Sequence, residues 1–387
     1  MKQSIRRGTY ALAAAGLALV LASCGGGVTG GGDSSTDAGT DSPSTGSSEA
    51  STDSGSAPAD LSGNLAGAGA SSQAKAQEGW IAGFTEQYQG VTVSYDPQGS
   101  GGGRKQFISG GVLFAGTDSA FKQEELTEAA ARCEGGEVVE LPVYISPIAV
   151  VYNLPDVGVD HLQLTPETLA KIFRGDITTW DDAAIAADNP DATLPATAIT
   201  VVNRSDDSGT TKNFTDYLHQ TAPDVWTDEA EEAWPIASVQ SGDGTSGMVT
   251  TVSSAVGAIG YADASQAGSL GTAALKVGDA FVPFSADAAA KAVDASPLTD
   301  DATDLRITYQ LDRTTSEAGA YPLVLISYLA GCETYADASD AANVAAYFGY
   351  IASEAGQERS AQAAGTAPIS DDLRTRVEAA IATISAS

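Results

Sequence analysis

Three loops in this chain combine the residue types that hold a small oxyanion. They are Gly67-Ala68-Gly69-Ala70-Ser71-Ser72, Gly99-Ser100-Gly101-Gly102-Gly103 and Arg204-Ser205-Asp206-Asp207-Ser208-Gly209-Thr210. Each follows a short apolar stretch and runs straight into a helical pattern. The first turn of a helix has backbone N–H groups without intrahelical partners and a partial positive charge, so such a junction can cradle an anion. Glycine lets the backbone approach a ligand closely, and Ser or Thr adds a hydroxyl donor. One loop of this kind reads equally well as a helix cap. Three, one of them opening with an arginine, point to a buried oxyanion site.

Burying a phosphate-sized anion costs many kcal/mol unless every oxygen is hydrogen-bonded. Each bond to a charged group returns about 1.5–3 kcal/mol, so several donors must converge from rigid elements. The neutral donors on offer are the Ser71 hydroxyl with the N–H groups of Ser71 and Ser72, the Ser100 hydroxyl, and Ser208, Gly209 and Thr210. Arg204 adds a planar, always-charged fork. Asp118, in Ala115-Gly116-Thr117-Asp118, is the odd member, because a carboxylate repels an anion unless the ligand still carries a proton. Phosphate near neutral pH keeps at least one; sulfate keeps none. A site built for that donor rejects the analogue lacking it by factors of about 10⁴–10⁵. The competing reading is that Asp118 caps a helix starting near Ser119.

The elements that would position these groups alternate between strand and helix patterns, which argues for α/β layers. Ser71 or Ser72 is expected to cap a helix whose face carries Trp80, Phe84 and Tyr88 at i, i+4 and i+8. A strand over 91–95 leads into the second loop, and Val112-Leu113-Phe114-Ala115 reads as a buried strand reaching Asp118. A helix over 124–132 follows, then a long apolar extended stretch over 138–154, interrupted by Pro142 and Pro147, that suits a crossing between lobes. Thr165-Pro166-Glu167 predicts a helix start, with Leu169, Ile172 and Phe173 facing inward. A strand over 198–202 feeds the Arg204 loop, a helix over 211–219 follows, and 255–261 reads as another strand. Val344, Phe348 and Ile351, then Leu373, Val377 and Ile381, mark two late amphipathic helices.

The N-terminus reads as an address. Lys2, Arg6 and Arg7 precede an apolar run over 10–22, too short to span a bilayer comfortably, that ends in Leu21-Ala22-Ser23-Cys24. This is a lipobox pattern with Cys24 as the lipidation site; an ordinary secretory signal is the alternative. Residues 25–60 hold six acidic and no basic residues with almost nothing apolar, the composition of a disordered tether. From Leu61 about 325 residues remain, more than one core usually holds, so two lobes are expected. The net charge of −31 argues against nucleic acid and anionic lipid surfaces as partners. Salt screens that field beyond about 8 Å, so an anion would be captured by local donors. Cys133 and Cys332 either pair, which over so long a loop stabilises by about 4 kcal/mol or more in the chain-entropy model, or stay buried free thiols. No spacing resembles a zinc or redox motif, and no metal or cofactor is expected.

The motifs together resemble the phosphate-binding protein of the high-affinity phosphate ABC transporter. The resemblance rests on Gly67-Ala-Gly-Ala-Ser71, Gly99-Ser-Gly-Gly-Gly-Arg-Lys-Gln106, Ala115-Gly-Thr-Asp118 and Arg204-Ser-Asp-Asp-Ser-Gly-Thr210. Leu169-Ala-Lys-Ile-Phe-Arg-Gly-Asp-Ile-Thr-Thr-Trp180 and Gly257-Ala-Ile-Gly-Tyr261 add to it, and it covers nearly all of the chain from Leu61 on. It implies a two-lobed periplasmic-binding-protein fold of type II, each lobe a mixed sheet flanked by helices, with residues 61–143 and 286–387 in lobe 1 and 144–285 in lobe 2. It also implies inorganic phosphate as ligand, held by Ser71, Ser72, Ser100, Asp118, Arg204, Ser208, Gly209 and Thr210. Ser71 stands where the family has threonine, and Ser72 where it uses a backbone N–H, often of an aromatic residue. The partners implied are the permease subunits of a phosphate importer, with the chain a monomer, lipid-anchored on the extracytoplasmic face of the cell membrane.

An enzyme is the rival from another class. Ser72 stands at the third glycine of a dinucleotide fingerprint, and Arg104 interrupts the Gly-Lys step of a Walker loop. A serine hydrolase would need a base, but only His161 and His219 exist, and there is no Gly-x-Ser-x-Gly elbow. Among binding proteins the rival ligands are sulfate, molybdate or a phosphonate, with Asp118 the discriminator. A surface sensor or adhesin that kept the fold is a third reading.

Overall fold

The computed structural model describes residues 61–387; the signal segment, Cys24 and the tether lie outside the described residues. One long mixed sheet runs through the molecule. Its strand order is Val91–Asp96, Gly63–Gly69, Phe114–Thr117, Val324–Cys332, Val138–Tyr152, Ala258–Asp263, Thr200–Arg204, Gln240–Gly242. The first three strands are parallel, as are the last three, and both sets meet the central pair antiparallel. A branch made of His161–Leu164, Gly271–Val277 and Ala280–Val282 joins the end of the long strand at Val151 and Tyr152.

The strand Val138–Tyr152 links the two halves. It pairs with Val324–Cys332 from Val138 to Pro147, then with Ala258–Asp263 from Ile148 to Tyr152. All of its residues are buried, as expected of a sequence that is apolar on both faces. Its two prolines do not end it: Pro142 lies beside a register irregularity opposite Ser327 and Tyr328, and Pro147 stands where the strand changes partner. The run Val324-Leu325-Ile326-Ser327-Tyr328-Leu329-Ala330-Gly331-Cys332, which the sequence reading leaves unassigned, is its central partner and is wholly buried.

Helices cover both faces. Thr165 caps Pro166–Arg174 by accepting the Thr168 N–H at 3.2 Å, and Leu169, Ile172 and Phe173 are buried beneath it. Trp80 and Phe84 of Ala74–Gln87 are fully buried, and Val344, Phe348 and Ile351 of Ala338–Ala352 join the same core. Short helices at Ala183–Asp188 and Ala286–Asp294, and longer ones at Gly244–Ser254 and Glu354–Ala364, complete the layers.

Cys133, just past the helix Gln123–Arg132, and Cys332, at the end of its strand, have sulfur atoms 2.06 Å apart and Cα atoms 5.1 Å apart. A bond there closes a span of 199 residues within one half of the sheet. Reduction, or replacement of both cysteines by serine, is expected to lower the unfolding free energy by about 4 kcal/mol or more, as the chain-entropy model gives for so long a loop. Urea unfolding with and without reductant measures it. An unchanged midpoint would mean that the bridge does not form in solution.

Candidate functional site

The chain brings the ends of parallel strands from both halves of the sheet to one place, the usual position for a ligand in α/β folds. Gly63–Gly69 delivers Ser71 and Ser72, Phe114–Thr117 delivers Asp118, Thr200–Arg204 ends on Arg204 itself, and Gln240–Gly242 delivers Thr245. Ser71, Ser72, Ser100, Asp118, Arg204, Ser208, Gly209 and Thr210 are all buried there. Gly99, at φ +92°, turns the chain into the helix Ser100–Ile108, and Ser208 caps Gly209–Thr221 by accepting the Thr211 N–H at 3.1 Å. By helix geometry the N–H groups of Gly209 and Thr210 have no intrahelical acceptor and remain available to a ligand.

The first loop departs from its expected role. Ser71 and Ser72 form a short 3₁₀ turn with Gln73 ahead of Ala74–Gln87, and neither hydroxyl caps a helix. Ser71 Oγ accepts the Thr245 N–H at 3.0 Å and lies 3.0 Å from Thr245 Oγ1. Ser72 Oγ donates to Asp118 Oδ1 at 2.6 Å. Thr245 is in the first turn of Gly244–Ser254, so a fourth helix start points into the site.

Asp118 is the hub. Its Oδ1 accepts the hydroxyls of Ser72 and Ser327, each at 2.6 Å, and its Oδ2 accepts Thr210 Oγ1 at 2.9 Å. Its own N–H donates to Ser100 Oγ at 3.0 Å. It caps no helix, since the next one starts at Gln123 behind Lys122. A carboxylate offers about four lone-pair positions. Three are filled by protein hydroxyls, leaving one on Oδ2 for a proton-bearing ligand. Burial pushes the Asp118 carboxyl upward, while hydrogen bonds from Ser327, Ser72 and Thr210 and the charge of Arg204 pull it back; the net shift is upward. The hydroxyls of Ser72 and Thr210 are thus committed to Asp118, which leaves these two residues only their backbone N–H groups as donors to an anion.

Arg204 is 2% exposed and is gripped by Asp206. Its Nε donates to Asp206 Oδ1 at 2.7 Å, its Nη2 to Asp206 Oδ2, and its Nη1 reaches Thr245 Oγ1 at 3.4 Å. Asp206 also accepts the Gly244 N–H at 3.0 Å. The arginine is therefore oriented and charge-balanced, with donors left over for an anion.

Ser327 and Thr245 were missed by the sequence reading. The histidines take no part: His161 Nδ1 pairs with Thr272 Oγ1 at 2.8 Å on the side branch, and His219 lies near the end of Gly209–Thr221. Among the described residues no group of His, Cys, Asp and Glu has the arrangement of a metal site, and no helix is long and apolar enough to cross a membrane.

A family model described as a PBP superfamily domain matches residues 48–355. Phosphate-binding protein PstS 3 of Mycobacterium tuberculosis is 33% identical over 373 residues, covering 94% of this chain and 95% of the relative. PstS 2 of the same species is 31% identical over 391 residues, covering all of both chains. This chain belongs to the PstS family of phosphate-binding proteins. The PstS family lies within the PBP superfamily and consists of solute-binding proteins, not enzymes. The crystal structure of a phosphate-binding protein from Stenotrophomonas maltophilia superposes with a TM-score of 0.67 at 20% identity, covering 84% of this chain and 96% of that one. A high-affinity periplasmic phosphate-binding protein solved with phosphate gives 0.64 at 20% identity, covering 82% and 93%. This PstS-family chain therefore has the type II binding-protein fold, α/β with a mixed sheet flanked by helices.

Proposed function

We propose that this chain binds inorganic phosphate in a cleft between lobe 1 (61–143 and 286–387) and lobe 2 (144–285) and delivers it to the permease subunits of a phosphate ABC importer. Phosphate is held by Ser71, Ser72, Ser100, Asp118, Arg204, Ser208, Gly209 and Thr210. The observation that carries this reading is the Asp118 carboxylate, which has one acceptor position left among donors that suit an anion. Only an oxyanion that keeps a proton satisfies both sets of groups. In this reading the chain works as a monomer, tethered through a lipid on Cys24 to the extracytoplasmic face of the cell membrane. Release of a Cys24→Ala chain from the cell surface supports that anchor, and unchanged attachment argues against it.

Competition against labelled phosphate tests the ligand. Arsenate, similar in shape and protonation, should displace phosphate, and sulfate should not. Sulfate competing as well as arsenate would remove the proposed basis of recognition.

Gly209 supplies a further check. A Cβ built there would lie 2.5 Å from Ser100 Oγ and 2.7 Å from Asp118 Cβ, so the third loop reaches Asp118 only because residue 209 has no side chain. Gly209→Ala is expected to weaken phosphate binding about tenfold or more, since the loop must retreat and lengthen several hydrogen bonds together. Isothermal titration measures this, and binding unchanged within twofold would place the anion elsewhere.

A further inference from the structure

Arg104 makes none of the contacts that define the anion site, yet its side chain is only 2% exposed. Its Nε donates to both oxygens of Glu125, at 3.1 and 3.0 Å, and its Nη1 to Thr117 Oγ1 at 2.9 Å and Ser119 Oγ at 3.1 Å. These partners belong to its own half of the sheet. The other half contributes Glu232, whose Oε1 accepts Nη1 at 2.8 Å and whose Oε2 accepts Nη2 at 3.0 Å. Ser119 also donates to Glu232 Oε1. The backbone leaves room for this pair: a Cβ on Gly101 would lie 2.8 Å from Glu232 Oε2.

The two partners are tied to opposite walls of the site. Arg104 bonds Thr117 and Ser119, the residues on either side of Asp118. The backbone carbonyl of Glu232 accepts the Ser208 N–H at 3.1 Å, next to Gly209 and Thr210. The pair thus spans the gap across which Thr210 donates to Asp118. Two exposed ion pairs, Lys105–Asp207 at 2.6 Å and Lys122–Glu231 at 3.4 Å, cross the same seam in the same sense, with cations on the first half and acids on the second. Exposed pairs contribute little, whereas a bidentate buried one is strongly coupled.

We propose that Arg104 and Glu232 form a clasp across the cleft, made as the lobes close, that sets how fast phosphate leaves. The proposal rests on the phosphate reading of the site. On opening, Arg104 keeps Glu125 as its counter-charge and Glu232 gains water, so neither is stranded. Closing dries both groups and locks the Asp118 turn to the Ser208 loop. Arg104 and Glu232 act through those loops and are positioning residues.

The test is stopped-flow phosphate release from the full chain, paired with melting of the ligand-free protein. Glu232→Gln should speed release by about tenfold or more and change the association rate little, because the pair forms after capture. The cycle of Arg104→Met, Glu232→Leu and the double variant should show coupling in the release rate and none in ligand-free melting. Release from Glu232→Gln within twofold of the unaltered chain overturns the clasp and leaves the phosphate reading intact. Equal coupling in release and in ligand-free melting also overturns it, by making the pair a fixed structural contact. An unaltered chain that binds no phosphate overturns both readings.

Discussion

Replacing Arg204 with alanine is expected to weaken phosphate binding by about a thousandfold or more, which is about 4 kcal/mol. Two effects act in the same direction. The variant loses the only cationic donor among the eight proposed ligand residues, and charge-assisted bonds are about twice as strong as neutral ones. It also leaves Asp206, whose side chain is 9% exposed, without its counter-charge beside the anion. Removing one partner of a buried pair costs more than the pair itself contributes. The double variant Arg204→Ala/Asp206→Asn separates the two, because asparagine keeps an acceptor for the Gly244 N–H but carries no charge. It should recover part of the affinity. Because both groups are buried, the loss should persist at high salt, where surface electrostatics fade. Isothermal titration with circular dichroism as a fold control measures it, and near-normal binding by Arg204→Ala would exclude the third loop as the site.

Much of this arrangement was legible in the residues. Three glycine- and serine-rich junctions, each after an apolar stretch, marked the loops, and the structure puts all three around Asp118. What stayed hidden was whatever lacks local periodicity. Val324–Cys332 is buried on both faces, so no alternation distinguishes it from any other apolar run, and Ser327 was lost with it. Gly242-Asp243-Gly244-Thr245 is a fourth junction of the same type, but its strand Gln240–Gly242 has three residues and none is apolar. Ser71 and Ser72 carried a signal that admits two meanings. A serine before a helix is a cap by local rules, and only the fold reveals that Ser72 bonds Asp118, 46 positions away. Glu232 was invisible for the same reason, since its partner Arg104 lies 128 positions away. Local rules find helix starts; long-range pairing decides what those starts do.

Asp118→Asn is expected to erase most of a phosphate preference over sulfate of about 10⁴ while weakening phosphate itself far less. The Ser72 and Ser327 hydroxyls both donate to Oδ1, so an asparagine carbonyl keeps that position and its amide takes the place of Oδ2. Thr210 can rotate its hydroxyl to accept from that amide. The one acceptor position facing the ligand thereby becomes a donor. Sulfate, which formerly met oxygen with oxygen, then gains a hydrogen bond, whereas phosphate can present an unprotonated oxygen instead. The unaltered chain should show the same change as pH falls. Because the Asp118 carboxyl is shifted upward, it protonates at a higher pH than an ordinary aspartate and becomes a donor. Sulfate should therefore compete better in acid with the unaltered chain, while the Asp118→Asn variant shows little change in selectivity over the same range. Titrations with both anions at neutral and acid pH test this, and equal losses of phosphate and sulfate affinity in Asp118→Asn would contradict it.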